Sequence, residues 1–77
     1  MWTIEVTDTF GGEANYSWVR RYEMDAHRGE CQASIMRRAK AIAGYSGVRG
    51  RTSPMGEGFE FRPYRVLHVM FVTWRDA

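Results

Sequence analysis

DTFGGEANYSWVRRY, residues Asp8–Tyr22, sets a paired-glycine turn, four aromatic side chains and two adjacent arginines within fifteen residues. Gly11 and Gly12 supply the positive φ angles that a reversing loop needs, and the aromatic and β-branched run after them suits a strand. Before the turn, Trp2, Ile4 and Val6 alternate with Thr3, Glu5 and Thr7, the period of a strand with one buried face. The stretch therefore predicts an antiparallel hairpin whose second strand runs from about Asn15 to Met24. Regular alternation puts Tyr16, Trp18, Arg20 and Tyr22 on one face of it.

The pattern changes after the hairpin. Asp25-Ala26-His27-Arg28-Gly29 breaks it, with Asp25 or the neighbourhood of Gly29 as the expected helix start. From Glu30 to Ala43, Cys31, Ile35, Ala39 and Ile42 recur at helical spacing and predict one amphipathic helix, with Gly44 just past its end. Strand-like segments follow at Val48–Thr52, Gly58–Arg62 and Val66–Trp74, with turns expected at Ser53-Pro54-Met55-Gly56 and Arg62-Pro63-Tyr64. The last segment is apolar on both faces, which predicts a place in the middle of a sheet. The expected fold is thus an α+β domain over residues 1–77. It has an antiparallel sheet of about five strands with one helix on one face, in the order β-β-α-β-β-β. One helix cannot cover five strands, so part of the other face is left to solvent or a partner.

Charge is distributed unevenly. The first thirty residues carry six acids against three arginines, the rest eight basic residues against three acids, and ten of the eleven basic side chains are arginine. Arg37, Arg38, Arg49, Arg51, Arg62 and Arg65 are the candidate nucleic-acid contacts, since guanidinium forks suit phosphate. A net charge of +2 is low for a strong nucleic-acid binder of this size, and pairing with Glu57 and Glu60 is the competing expectation. Gly44-Tyr45-Ser46-Gly47 has the spacing of the GXXG loop of KH domains, but strand character follows it at once, so a helix C-cap accounts for both glycines.

Tyr, Trp and Arg are the residues most enriched at interface hot spots, so Tyr16, Trp18, Arg20, Arg21 and Tyr22, with Phe10 and Glu13 from the preceding loop, form the candidate partner-binding set. For Trp18 the competing expectation is burial under the helix. No spacing of Cys31, His27, His68, Asp8, Asp25 or the serines suggests catalysis or a metal site. The expectation is a protein that is not an enzyme and uses no cofactor or metal. Cys31 is expected on the helix's core face, and His68 as a hydrogen-bonded core histidine. A lone cysteine cannot form an internal disulfide, and neither a signal peptide nor an apolar run of bilayer length is apparent, so a cytoplasmic location away from membranes is expected.

At DTFGGEANYSWVRRY, and again at AKAIAG (Ala39–Gly44), SGVRG (Ser46–Gly50) and FEFRP (Phe59–Pro63), the chain resembles a group of small uncharacterised phage and prophage proteins of proteobacteria. That resemblance implies an accessory protein that inhibits host machinery in the manner of anti-CRISPR proteins. The partner would be a host protein complex such as a CRISPR–Cas effector. The alternative expectation is a small nucleic-acid-binding or transcription-modulating domain. A third is a homodimer formed through the uncovered sheet face or an edge strand.

Overall fold

A computed structural model describes residues 1–75, which form β1 (Trp2–Phe10), β2 (Glu13–Met24), α1 (Gln32–Ala43), β3 (Gly50–Met55), β4 (Gly58–Pro63) and β5 (His68–Trp74). The expected β-β-α-β-β-β order holds. All neighbours are antiparallel, and the sheet order is β2-β1-β5-β4-β3. β5, apolar on both faces, takes the central position. Its pairing with β1 brings the two ends of the sheet's chain path together: the Arg75 N–H donates to the Met1 carbonyl at 2.9 Å.

The register fixes the buried face. Ile4 lies opposite Tyr22 on one side and Val72 on the other, and Phe61 lies opposite Met70. Ile4, Val6, Met24, Phe61, Met70 and Val72 point at α1, which returns Ile35, Met36, Ala39 and Ala43 to the same core. Tyr45 closes the core beyond the helix, and Trp2, Tyr22, Val48 and Phe59 pack half-buried around it. Tyr22 is therefore a packing residue.

The helix begins later than its periodicity predicts. Cys31 takes the N-cap with extended backbone (φ −84°, ψ 164°) and no side-chain cap, so Asp25 does not cap the helix. A cap residue precedes the first turn, outside the apolar stripe, and Cys31 is exposed rather than buried in the core. The stripe is centred between Ile35 and Met36, which leaves Ile42 exposed at its edge. Acid at the helix start is explained by Glu30, whose carboxylate accepts from Ser34 Oγ (2.7 Å) and Arg38 Nη1 (2.6 Å). Desolvation raises its pKa, but the Ser34 hydroxyl and the Arg38 charge outweigh that and hold it below the ordinary glutamate value. Gly44 ends the helix in the left-handed region (φ 87°), where Tyr45 N donates back to the Lys40 carbonyl at 2.7 Å.

Several strand boundaries differ from expectation: β2 starts at Glu13, so Phe10 and Glu13 are strand residues on either side of the Gly11-Gly12 turn rather than loop residues. β3 starts at Gly50 and runs through Ser53-Pro54-Met55, and the turn is Gly56-Glu57. Pro54 is tolerated because β3 is an edge strand, where a missing N–H on the outer side costs no ladder bond. β4 keeps Arg62 and Pro63, so Tyr64 to Leu67 must make the reversal, and Val66 and Leu67 leave the predicted last strand for a loop.

The largest departure is in the hairpin. Thr7 pairs with Val19 but Thr9 with Ala14, so residues 15–18 bulge opposite Asp8. The fully buried Thr7 hydroxyl accepts from Tyr16 N (2.9 Å) and donates to the Trp18 carbonyl (3.0 Å). Asp8 accepts from Ser17 Oγ (2.6 Å), Ser17 N and Asn15 Nδ2 (both 2.9 Å). Those bonds, Ser17 Oγ first, hold the Asp8 carboxyl well below the usual range. The bulge turns Tyr16 to φ 56° and breaks the alternation, so Tyr16 does not share a face with Trp18, Arg20 and Tyr22. Thr7→Val should cost about 1–3 kcal/mol by orphaning the Tyr16 N–H and the Trp18 carbonyl, while Thr7→Ser should recover most of it. Urea denaturation of both variants checks this; a larger loss for the serine variant than for the valine variant would mean that the methyl group rather than the hydroxyl matters.

Candidate functional site

The predicted binding residues fall into three places. On the helix side, Trp18 stands edge-on to the His68 ring at 4.8 Å, and the Arg20 guanidinium lies 5.0 Å from the centre of the Trp18 ring. The Tyr45 hydroxyl lies 2.8 Å from His68 Nδ1, so His68 is hydrogen-bonded as expected, though only half-buried. Trp18 is packed on one side and open on the other.

Burial first, and the Arg20 charge second, hold the His68 imidazole below its ordinary value, with Asp8 opposing. Burial likewise pushes the Tyr45 hydroxyl up. A histidine whose folded pKa is depressed contributes stability above its unfolded value, about 6.5, and loses it as pH falls through the folded value. An NMR titration should therefore place the His68 midpoint below about 6.5, and Arg20→Gln should move it upward. A midpoint at or above that value would contradict the packing described.

The uncovered face carries Tyr16 and Arg21. Together with Thr3, Glu5, Phe71 and Thr73 they line part of an open groove of about 950 Å³. Arg21 spends its charge across the strand pair on Glu5, 2.9 Å away, and is 68% exposed, so the pair adds little stability. By register, Arg51 and Arg62 lie opposite each other on this same face. Arg62 is held by Glu60 at 2.9 Å, the larger cause of its raised pKa, and donates to the Gly12 carbonyl at 2.5 Å. Arg38 is tied to Glu30 and the Asp25 carbonyl beside the helix start, with Arg37 exposed on the helix. The predicted arginines are thus divided among the helix, the open face and one end of the sheet.

That end is the third place, built by main-chain bonds between loops. Thr9 N donates to the Leu67 carbonyl (2.8 Å), which sets the β1–β2 turn beside the β4–β5 loop. Tyr64 N donates to the Arg49 carbonyl (3.1 Å), which sets that loop beside the α1–β3 connection. Lys40 fixes the connection from below, donating to the Val48 carbonyl at 2.6 Å with its Nζ 4.7 Å from the centre of the Phe61 ring. The bonds consume main-chain polarity and leave the side chains outward: Phe10 is 80% exposed, Leu67 77% and Tyr64 71%. Val66 is also exposed, and Glu13 closes the β1–β2 turn opposite Phe10.

Comparison with protein-family models, with curated proteins and with solved structures finds no match for this chain. Its function has to be read from its own surface. Phe10 was legible in the sequence as a loop aromatic. Tyr64 was read only as a turn residue, and Val66 and Leu67 were not legible, because an apolar run beginning at Val66 reads as strand until the reversal after Pro63 is known. Among the described residues no three His, Cys, Asp or Glu side chains gather as metal ligands would, and no helix is long and apolar enough to cross a membrane.

Proposed function

We propose that the chain is a non-catalytic binding domain that docks on a partner protein through the sheet end bearing Phe10, Tyr64 and Leu67. The observation that carries this is that three large apolar side chains, each more than 70% exposed, lie at one end of the sheet, Phe10 at the end of β1 and Tyr64 and Leu67 on the β4–β5 loop that the Thr9–Leu67 main-chain bond ties to β1. Scattered exposed apolar residues need no explanation, but a grouped set marks an interaction surface. Burying each such side chain in a partner is worth about 1.5–3 kcal/mol. Trp18 and Arg20 extend the surface through His68, which follows Leu67 directly in the chain. The resemblance to phage and prophage proteins makes the partner a host complex and the outcome its inhibition, with a CRISPR–Cas effector the first target to assay.

Phe10→Ser combined with Leu67→Ser should abolish capture of the protein complex held by the wild-type chain, with the melting temperature unchanged within a few degrees. Both side chains lie outside the core, so folding is not at stake. Retention of the same complex by the double variant would overturn the docking assignment.

A further inference from the structure

A cleft of about 430 Å³ opens beside the exposed apolar residues, between the α1–β3 connection and the β4–β5 loop, lined by Val48, Arg49, Tyr64, Arg65 and Val66. Its charged lining is entirely basic. Arg21, Arg38 and Arg62 each meet a carboxylate within 2.9 Å, whereas Arg49 and Arg65, both exposed, have no ion pair among the described residues. Neither loop, residues 44–49 or 64–67, contains an acid, Glu60 on β4 is already committed to Arg62, and Asp8 on β1 to Ser17 and Asn15. The cleft therefore combines two uncompensated guanidinium groups with two valines and a tyrosine ring.

We infer that this cleft receives a carboxylate-bearing segment of the partner protein, the carboxylate taken by Arg49 and Arg65 and a neighbouring apolar side chain seated against Val48, Val66 and Tyr64. Guanidinium forks match carboxylate geometry, and a charge-assisted bond is about twice as strong as a neutral one. Apolar walls beside the forks favour a peptide over a polyanion. A nucleic-acid backbone needs a basic groove that follows it, and the other candidate arginines lie on the helix or the open sheet face. The inference rests on the docking reading above and gives that surface its polarity: apolar anchors from Phe10 and Leu67, orientation from the two arginines.

The test is an amide-shift titration of the ¹⁵N-labelled full chain with three probes: acetyl-Leu-Asp-Leu-Glu-Leu-amide, its Asn/Gln counterpart, and a short thymidine oligonucleotide. The acidic peptide should shift the amides of Val48, Arg49, Tyr64, Arg65 and Val66 and bind about tenfold more tightly than the neutral one. That preference should vanish in the Arg49→Gln/Arg65→Gln double variant, whose melting temperature should not change, because the Arg49 carbonyl that bonds Tyr64 belongs to the main chain. Equal binding of the two peptides, shifts confined to other surfaces, tighter binding of the oligonucleotide, or no shift with any probe would each overturn the inference. Partner capture by the Phe10/Leu67 variant reads the docking assignment separately, so the acid site can fail while docking stands.

Discussion

Phe61→Ala is expected to remove a large part of the protein's folding stability. Phe61 is 2% exposed and stands where β4, the helix end and the following loop meet: its ring lies 6.3 Å from the Tyr45 ring and beneath the Lys40 ammonium. Its bulk is accommodated by Gly50 on the edge strand, where an added Cβ would fall 2.6 Å from the ring and also strike the Arg62 carbonyl oxygen. Removing a buried phenylalanine costs about 3–5 kcal/mol, because the lost transfer energy is joined by an unfilled cavity. A chain of 77 residues has only about 4–12 kcal/mol in all. Thermal unfolding should show a drop of about 20 °C or more, with Phe61→Leu, which keeps most of the volume, losing far less. A small shift for the alanine variant would mean that the core does not converge on this ring.

Gly58→Ala should be nearly as damaging for a different reason. Gly58 lies opposite Thr73 across β4 and β5, and a Cβ built on it would collide with the Val72 carbonyl oxygen and sit 2.8 Å from the Thr73 Cα. Both are main-chain atoms, so no rotamer change can relieve the clash. The strands must separate at that end, and about 3 kcal/mol is the expected loss. Gly56, two residues earlier, is the control. Open space surrounds its missing side chain, and only its left-handed backbone (φ 42°) resists substitution, so Gly56→Ala should cost about 1 kcal/mol. Denaturant midpoints for the pair decide the matter, and a milder effect at Gly58 than at Gly56 would contradict the β4–β5 register.

These two positions also mark what a sequence can and cannot disclose. β1 announced itself by strict alternation, β5 by apolar residues on both faces, and the end of α1 by Gly44, because each signal is local and repeats over several residues. The bulge at residues 15–18 is invisible in that sense. It depends on the Thr7 hydroxyl and the Asp8 carboxylate reaching seven to eleven residues along the chain, and it moves Tyr16 to the opposite face from Trp18. Gly58 reads as the first residue of a strand, and only the pairing with β5 reveals the main chain it abuts. Cys31 misled because helical spacing extends backward past a cap without any mark in the pattern.

The binding surface was legible to a similar degree. Aromatic and arginine enrichment after the glycine turn pointed to recognition, and Phe10 belongs to the surface proposed. Tyr22 proved to be packing, and Arg62 is engaged by Glu60 and Gly12, since face and pairing depend on register rather than on residue type. Leu67 and Tyr64 became visible only once Pro63 was seen to end β4 and the Thr9 bond was seen to set Leu67 beside the first hairpin.

Hydroxyl-radical footprinting of the captured complex tests the docking surface most directly, because it reads side-chain burial without altering the protein. The account predicts that Phe10, Tyr64 and Leu67 lose reactivity on binding, while Tyr16 and Phe71 on the open sheet face keep theirs. Protection of Tyr16 and Phe71 with Phe10, Tyr64 and Leu67 unchanged would contradict it and move the interface to the groove.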